Sequence, residues 1–189
     1  MDLFIQPTSA AEDLLHAKMI LSVHVIHRGY NMWSLIGLGS ALGVGAWKAL
    51  RPNPKNASIT SIHTNPSPLV QRILRYSARG SLFGLVFGAA AVTGQMWGRG
   101  AIEWQDRSWR LLHNQTQNQT DHWSIAGAAI GAISAYSYAQ RKATSLAGLG
   151  LSTRTIVLGG TATGSAIAII SMLAVRALLQ SGTNVKAMQ

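Results

Sequence analysis

The sequence predicts an all-α membrane protein: four Gly-rich transmembrane helices, an N-terminal helix before them, and a basic amphipathic helix leading into the second span. Charge is scarce, because Asp, Glu, Lys and Arg make up 12% of the 189 residues. A soluble surface usually carries about 25–35%. Gly is abundant at 19 residues, and four stretches have centres free of charge and close to the ~20 apolar residues that cross a bilayer. Mean hydropathy is a modest +0.18 because polar links dilute the apolar spans. Gly and Ala dominate these stretches and no alternation of period two runs through them, so strands are a poor alternative.

Residues 1–29 read as an N-terminal helical segment. Ser9-Ala10-Ala11-Glu12 has the pattern of a capping box, in which serine and glutamate satisfy free N–H groups of a helix start. The apolar positions Leu14, Leu15, Met19, Leu21, Val25 and Ile26 continue it, over too short a stretch to span. Asp2, Glu12 and Asp13 argue against a secretory signal and against a mitochondrial transit peptide. Targeting information is therefore expected to be internal and uncleaved.

Residues 30–189 form the expected membrane domain, with spans at about 30–50, 80–97, 123–140 and 155–179. Trp33 and Trp47 bracket the first, Trp97 closes the second and Trp123 opens the third, as indoles favour the headgroup level. In the link 51–79, Pro52, Pro54 and Pro66 extend the chain, and Ser67-Pro68 reads as an N-cap with proline at the first helical position. Leu69, Val70, Ile73, Leu74 and Tyr76 then fall on one side of a helix, with Arg72, Arg75 and Arg79 on the other. Such a helix lies on anionic lipid or packs on a protein neighbour with its arginines solvated. In the link 98–122, Arg99, Glu103 and Arg107 are spaced by four, as are Asp106 and Arg110, which supports an exposed helix. The polar tract 114–120 reads as a flexible tip carrying glycosylation sequons at Asn114 and Asn118.

The glycines are the most informative feature. They recur at four-residue steps: Gly39 and Gly43; Gly37, Ala41 and Gly45; Gly80, Gly84 and Gly88; Gly127, Gly131 and Ala135; Gly160, Gly164 and Ala168. Gly costs about 1 kcal/mol against Ala in a helix interior. Its repetition on one face predicts close helix–helix packing, which in lipid relies on backbone approach. A nucleotide-loop reading of Gly37, Gly39 and Gly43 fails because no strand precedes them.

Catalytic chemistry is not predicted. Cys is absent, and no nucleophile set, carboxylate pair or phosphate loop stands out. His24 and His27 are one turn apart, but no third metal ligand lies near them. No cofactor, nucleic-acid partner or small-molecule substrate is expected.

The pattern around the second and third spans resembles the Tim family of mitochondrial inner-membrane proteins. Gly84-Leu85-Val86-Phe87 fits the opening of that family's signature, and Ala126-Gly127 with Gly131 fits its close. Arg99 stands one position late, Glu103 replaces the family's Asp, and the linker before Ala126 is longer. These departures resemble the family's divergent branch, a four-helix accessory subunit of mitochondrial NADH:ubiquinone oxidoreductase (respiratory complex I), of the fungal kind. The resemblance implies a non-catalytic subunit that stabilises or assembles the membrane arm, with membrane-arm subunits and phospholipid, cardiolipin among the candidates, as partners. A subunit of an inner-membrane protein translocase is the first alternative, and a small-molecule channel or carrier the second.

Charge orients the chain. Arg51, Lys55, Arg72, Arg75 and Arg79 in the first link and Arg141, Lys142 and Arg154 in the third have no acid among them. Basic links stay on the side from which insertion starts. Both termini are therefore expected in the intermembrane space.

Overall fold

The computed structural model describes residues 10–51, 68–141 and 151–187, with side chains through Ser181. The described residues form a short 3-10 turn, Ala11–Asp13, and five helices with no strand: α1 Ala17–Leu50, α2 Pro68–Met96, α3 Ala101–Leu112, α4 Gln115–Arg141 and α5 Thr153–Ala187. The chain is all-α, as its sequence predicts. Ser9, Pro52, Pro54, Lys55, Pro66, Ser67 and Lys142 lie outside the described residues.

The four long helices alternate in direction. Gly37 of α1 lies against Tyr76 and Ser77 of α2, and Gly29 against Gly84 and Gly88 further along, so α1 and α2 are antiparallel. Gly127 of α4 meets Gly164 and Ala168 of α5, while Gly131 meets Gly160 and Gly164, so α4 and α5 are antiparallel too. These are the two most extensive helix contacts, and α2 joins the pairs where Gly159 of α5 lies on Leu74. At one end α3 folds under the start of α1. Leu14, Ala17, Ile20 and Leu112 form a small core there, with Trp104 and Trp109 packed against it.

The sequence expected Gly39 and Gly43 at a packing face, but both are exposed and a Cβ at either would meet nothing. The packing face of α1 carries Gly29, Gly37 and Ala41 instead. The two ladders are offset by two residues, about 200° around a helix of 3.6 residues per turn, and so point to opposite sides. Gly80, Gly84, Gly88, Gly127, Gly131, Gly160 and Gly164 all lie at close backbone contacts, as expected.

Other boundaries also move. The division between residues 29 and 30 falls inside α1, because Gly29 seats on α2 and does not break the helix. The basic amphipathic segment is not a separate helix lying on a surface. It is the first part of α2, continuous to Met96, since Gly80 packs on Trp33 and does not end the helix. The tract 114–120 is no flexible tip: the Asn114 side chain accepts the Gln117 N–H and starts α4. Asn118 is buried and donates to the Leu112 carbonyl, so its sequon is closed to modification. Trp33 packs edge-on to Phe83, 4.3 Å between ring centroids. By length and composition, among the described helices only α5, over Thr153–Ser181, is apolar enough to cross a membrane, with mean hydropathy 1.8. The inward faces of α1, α2 and α4 carry Gly, Ser, Asn, His and Asp, which lower their average.

The glycine contacts separate two kinds of substitution. Gly84→Ala and Gly131→Ala should lower the yield and thermal stability of the purified protein, because each Cβ meets backbone atoms of the facing helix. Gly39→Ala and Gly43→Ala should raise stability by about 0.5–1 kcal/mol through helix propensity alone. Thermal unfolding in detergent distinguishes them, and equal behaviour of the two sets contradicts the packing described.

Candidate functional site: a buried polar network across three helices

Polar side chains recur on one face of α1 at steps of three and four: His24, His27, Arg28, Asn31 and Ser34. Asn118, Asp121 and Ser124 do the same on α4. Helical geometry places each set in a stripe, and the fold turns the two stripes toward each other. The backbones of α1 and α4 do not pack closely, so side chains fill the space between them.

Asp121 is the anionic centre, 1% exposed. Its Oδ2 lies 2.9 Å from His24 Nδ1, and its Oδ1 lies 3.3 Å from Arg28 Nη2. Arg28 also donates to the Gln117 carbonyl at 3.1 Å, which ties the same guanidinium to the first turn of α4. A buried carboxylate without such partners is strongly disfavoured.

One turn along, Ser124 joins three groups. Its hydroxyl donates to the Asp121 carbonyl at 2.9 Å. A hydroxyl has a single proton, so its oxygen accepts from both other neighbours. These are Asn31 Nδ2 at 3.2 Å and His27 Nε2 at 2.7 Å, which makes His27 the Nε2–H tautomer. The Asn31 carbonyl oxygen in turn accepts from Ser165 of α5 at 2.7 Å. A chain of hydrogen bonds thus runs from α5 through α1 to α4. Nearby, Arg176 of α5 donates to Gln119 of α4.

The environment biases the two titrating groups, both of which precede the expected spans. Burial pushes the Asp121 carboxyl up, but the His24 hydrogen bond and the positive groups beside it, His24 and Arg28, outweigh it and hold it below the ordinary aspartate value. Burial lowers His27 below the ordinary histidine value, against the opposing pull of Asp121. His27 therefore favours the neutral form, whose Nε2–H still donates to Ser124.

The sequence-expected arginines lie elsewhere. Arg75 and Arg79 line a cavity of about 270 Å³ between α2 and α5, beside Leu151 and Thr155. Arg72 extends along α1 beside Gly45. The structure thus places Arg75 and Arg79 together on the α5 side of α2. The expected ion pairs Arg99–Glu103 and Asp106–Arg110 form on or next to α3. Among the described residues, no group of three His, Asp or Glu is placed to hold a metal.

The sequence pattern does not single out Arg28, Asn31, Asp121 and Ser124 as a network, and it offers Ser165 only as a polar residue of the fourth span. The three- and four-residue polar steps on α1 and α4 were the available signal. The chain belongs to the family described as Protein of unknown function (DUF1757), whose model matches residues 4–158. No curated protein matches it in sequence.

Removing the anion should cost most. Asp121→Asn strands His24 and Arg28 and should destabilise by about 3–5 kcal/mol. Asn31→Ala leaves two hydroxyl groups short of partners and should cost about 1–3 kcal/mol. Acid should also destabilise. Both pKa values are lowered on folding, so the unfolded chain binds more protons, and stability present at higher pH is lost as pH falls. Loss begins near 6.5 for His27 and near 3.8 for Asp121. Thermal unfolding of the full chain between about pH 8 and about pH 5 should show the His27 step, and His27→Gln should remove it. A midpoint that does not change with pH in the unmodified protein contradicts this assignment.

Proposed function

We propose that the chain is a multi-pass subunit of the mitochondrial inner membrane that stabilises and assembles the membrane arm of respiratory complex I and supplies no catalytic group of its own. The membrane part of this reading rests on one observation: the polarity of the bundle is inverted. Ser34, Ser77, Ser81, Ser124, Ser165 and Asp121 are fully buried, while Leu82, Phe83, Val86, Ile130, Ile133, Ile167 and Leu173 face outward, Val86 at 70% and Ile133 at 67% exposure. Water would penalise that outer surface on every long helix, whereas hydrocarbon solvates it. Patches of this extent mark contact with membrane or protein. The inward Gly and Ser lower the average hydropathy of α2 and α4 without touching lipid, so each of the four long helices is read as containing one of the expected spans.

The assignment to complex I rests on the resemblance of the Gly84–Phe87, Arg99–Glu103 and Ala126–Gly131 elements to the divergent branch of the Tim family. Phospholipid, including cardiolipin, is a proposed partner at Arg72, Arg75 and Arg79, since among the described residues no acid lies on the links' side of the bundle. The accessory role is favoured over a translocase or carrier by how hydroxyl groups are used. Thr93 and Thr161 donate to carbonyls of their own helices, and Ser165 donates to Asn31. A groove of about 720 Å³ between α2, α4 and α5 is walled mainly by Gly, Ala and aliphatic side chains, with Ser134, Tyr138 and Thr163 among them, which suits neighbouring apolar chains better than a polar solute.

Orientation follows from the charges. Glu12, Asp13, Glu103, Asp106 and Asp121 all stand at or toward the α3 end, together with the start of α1 and the end of α5. Arg51, Arg141 and Arg154 stand at the other. The proposal places the α3 end and both termini in the intermembrane space.

Native electrophoresis in mild detergent with mass spectrometry of co-migrating proteins tests the assembly. Complex I subunits are the expected companions, and import components would replace this reading with the translocase one. Protease added to mitochondria with ruptured outer membranes should remove a C-terminal tag and spare the 51–79 link. The reverse pattern inverts the topology and removes the support that orientation lends to the family resemblance.

A further inference from the structure

Each carboxylate on α3 and α4 already faces a cation: Glu103 faces Arg99, Asp106 faces Arg110, and Asp121 faces His24 and Arg28. Arg107 is left over, with no ion pair among the described residues. It lines a cavity of about 400 Å³ between α1, α3 and the start of α4, together with Arg28, Arg110, His24, Asn114 and Gln117. No carboxylate lines this cavity. Arg28 contributes a second unmatched feature. Its Nη2 is held by Asp121 and the Gln117 carbonyl, yet its Nε is buried and donates to nothing among the described residues. The walls therefore hold three guanidinium groups, one unmatched positive charge and one buried donor without an acceptor.

We propose that this cavity binds a phosphate group, carried by a phospholipid headgroup or present as a free anion. Guanidinium forks pair with phosphate through parallel, charge-assisted hydrogen bonds. Forks arriving from two helices suit a tetrahedral group with several oxygens better than a planar carboxylate. A phosphate oxygen would also give the buried Arg28 Nε the acceptor it lacks among the described residues. The site stands at the opposite end of the bundle from Arg72, Arg75 and Arg79 and does not depend on which assembly the chain joins.

The test uses the full chain in phosphatidylcholine nanodiscs, titrated calorimetrically with inorganic phosphate and, separately, with a short-chain phosphatidylglycerol. Arg107 is exposed, so Arg107→Gln should leave the fold intact, which the thermal midpoint checks. Binding should weaken about tenfold in Arg107→Gln and recover in part in Arg107→Lys. Saturable binding of inorganic phosphate that depends on Arg107 supports a free anion, and Arg107-dependent binding of the lipid alone supports a headgroup. Binding of neither probe, or binding unchanged by Arg107→Gln, overturns the proposal.

Discussion

Gly84 and Gly88 of α2 meet Gly29 and Ile26 of α1 backbone to backbone, and Gly127, Gly131, Gly160 and Gly164 do the same between α4 and α5. Everything else in the bundle is positioned by these two approaches. Each fixes the register of its pair to within one residue, because the neighbouring positions carry side chains that hold the axes apart. Each also brings carbonyl oxygens and Cα atoms into contact over several turns, where many small dispersion gains accumulate. Serines share these faces for the same reason. Ser77 and Ser81 are small enough to keep α2 close to α1.

Close approach within each pair leaves a wider seam between α1 and α4. Small residues cannot bridge it, and longer polar side chains do. Asp121 is the natural centre of that seam because a buried anion is tolerated only with cations and donors directed at it. His24 and Arg28 of α1 face its carboxylate, while the Ser124–Asn31–Ser165 chain ties α4 to α1 and α5 beside it. Hydrogen bonds are directional, so the network accepts one relative placement of the helices where apolar contacts would tolerate several. The glycine faces set distance within the pairs, and the polar seam sets how the pairs face each other.

The same division explains the inverted polarity. The residues that hold the helices together are small or polar, so the large aliphatic and aromatic side chains are left for the outside. Leu82, Phe83, Val86 and Phe87 alternate around α2 with the buried Ser81, Gly84 and Gly88. Average hydropathy treats the two faces alike and understates the outer one. Burial resolves them, which is why four helices carry apolar outer faces while one meets a criterion of composition.

The sequence by itself determined the helical class, the presence of long helices, the α3 ion pairs and most of the glycine faces, because these depend on composition and on three- and four-residue periodicity within one segment. It could not choose between Gly37 and Gly39 as the packing ladder of α1, since both have the right spacing and only the partner helix selects a side. It placed a boundary at residue 30 and a separate helix at 68–79, because polar residues within a helix resemble a link when read one segment at a time. The tertiary structure decided these points, and it alone joined His24 and Arg28 to Asp121 and Asn31 to Ser165. Those residues are far apart in the chain, and their pairing is set by the antiparallel packing of helices, which no local pattern encodes.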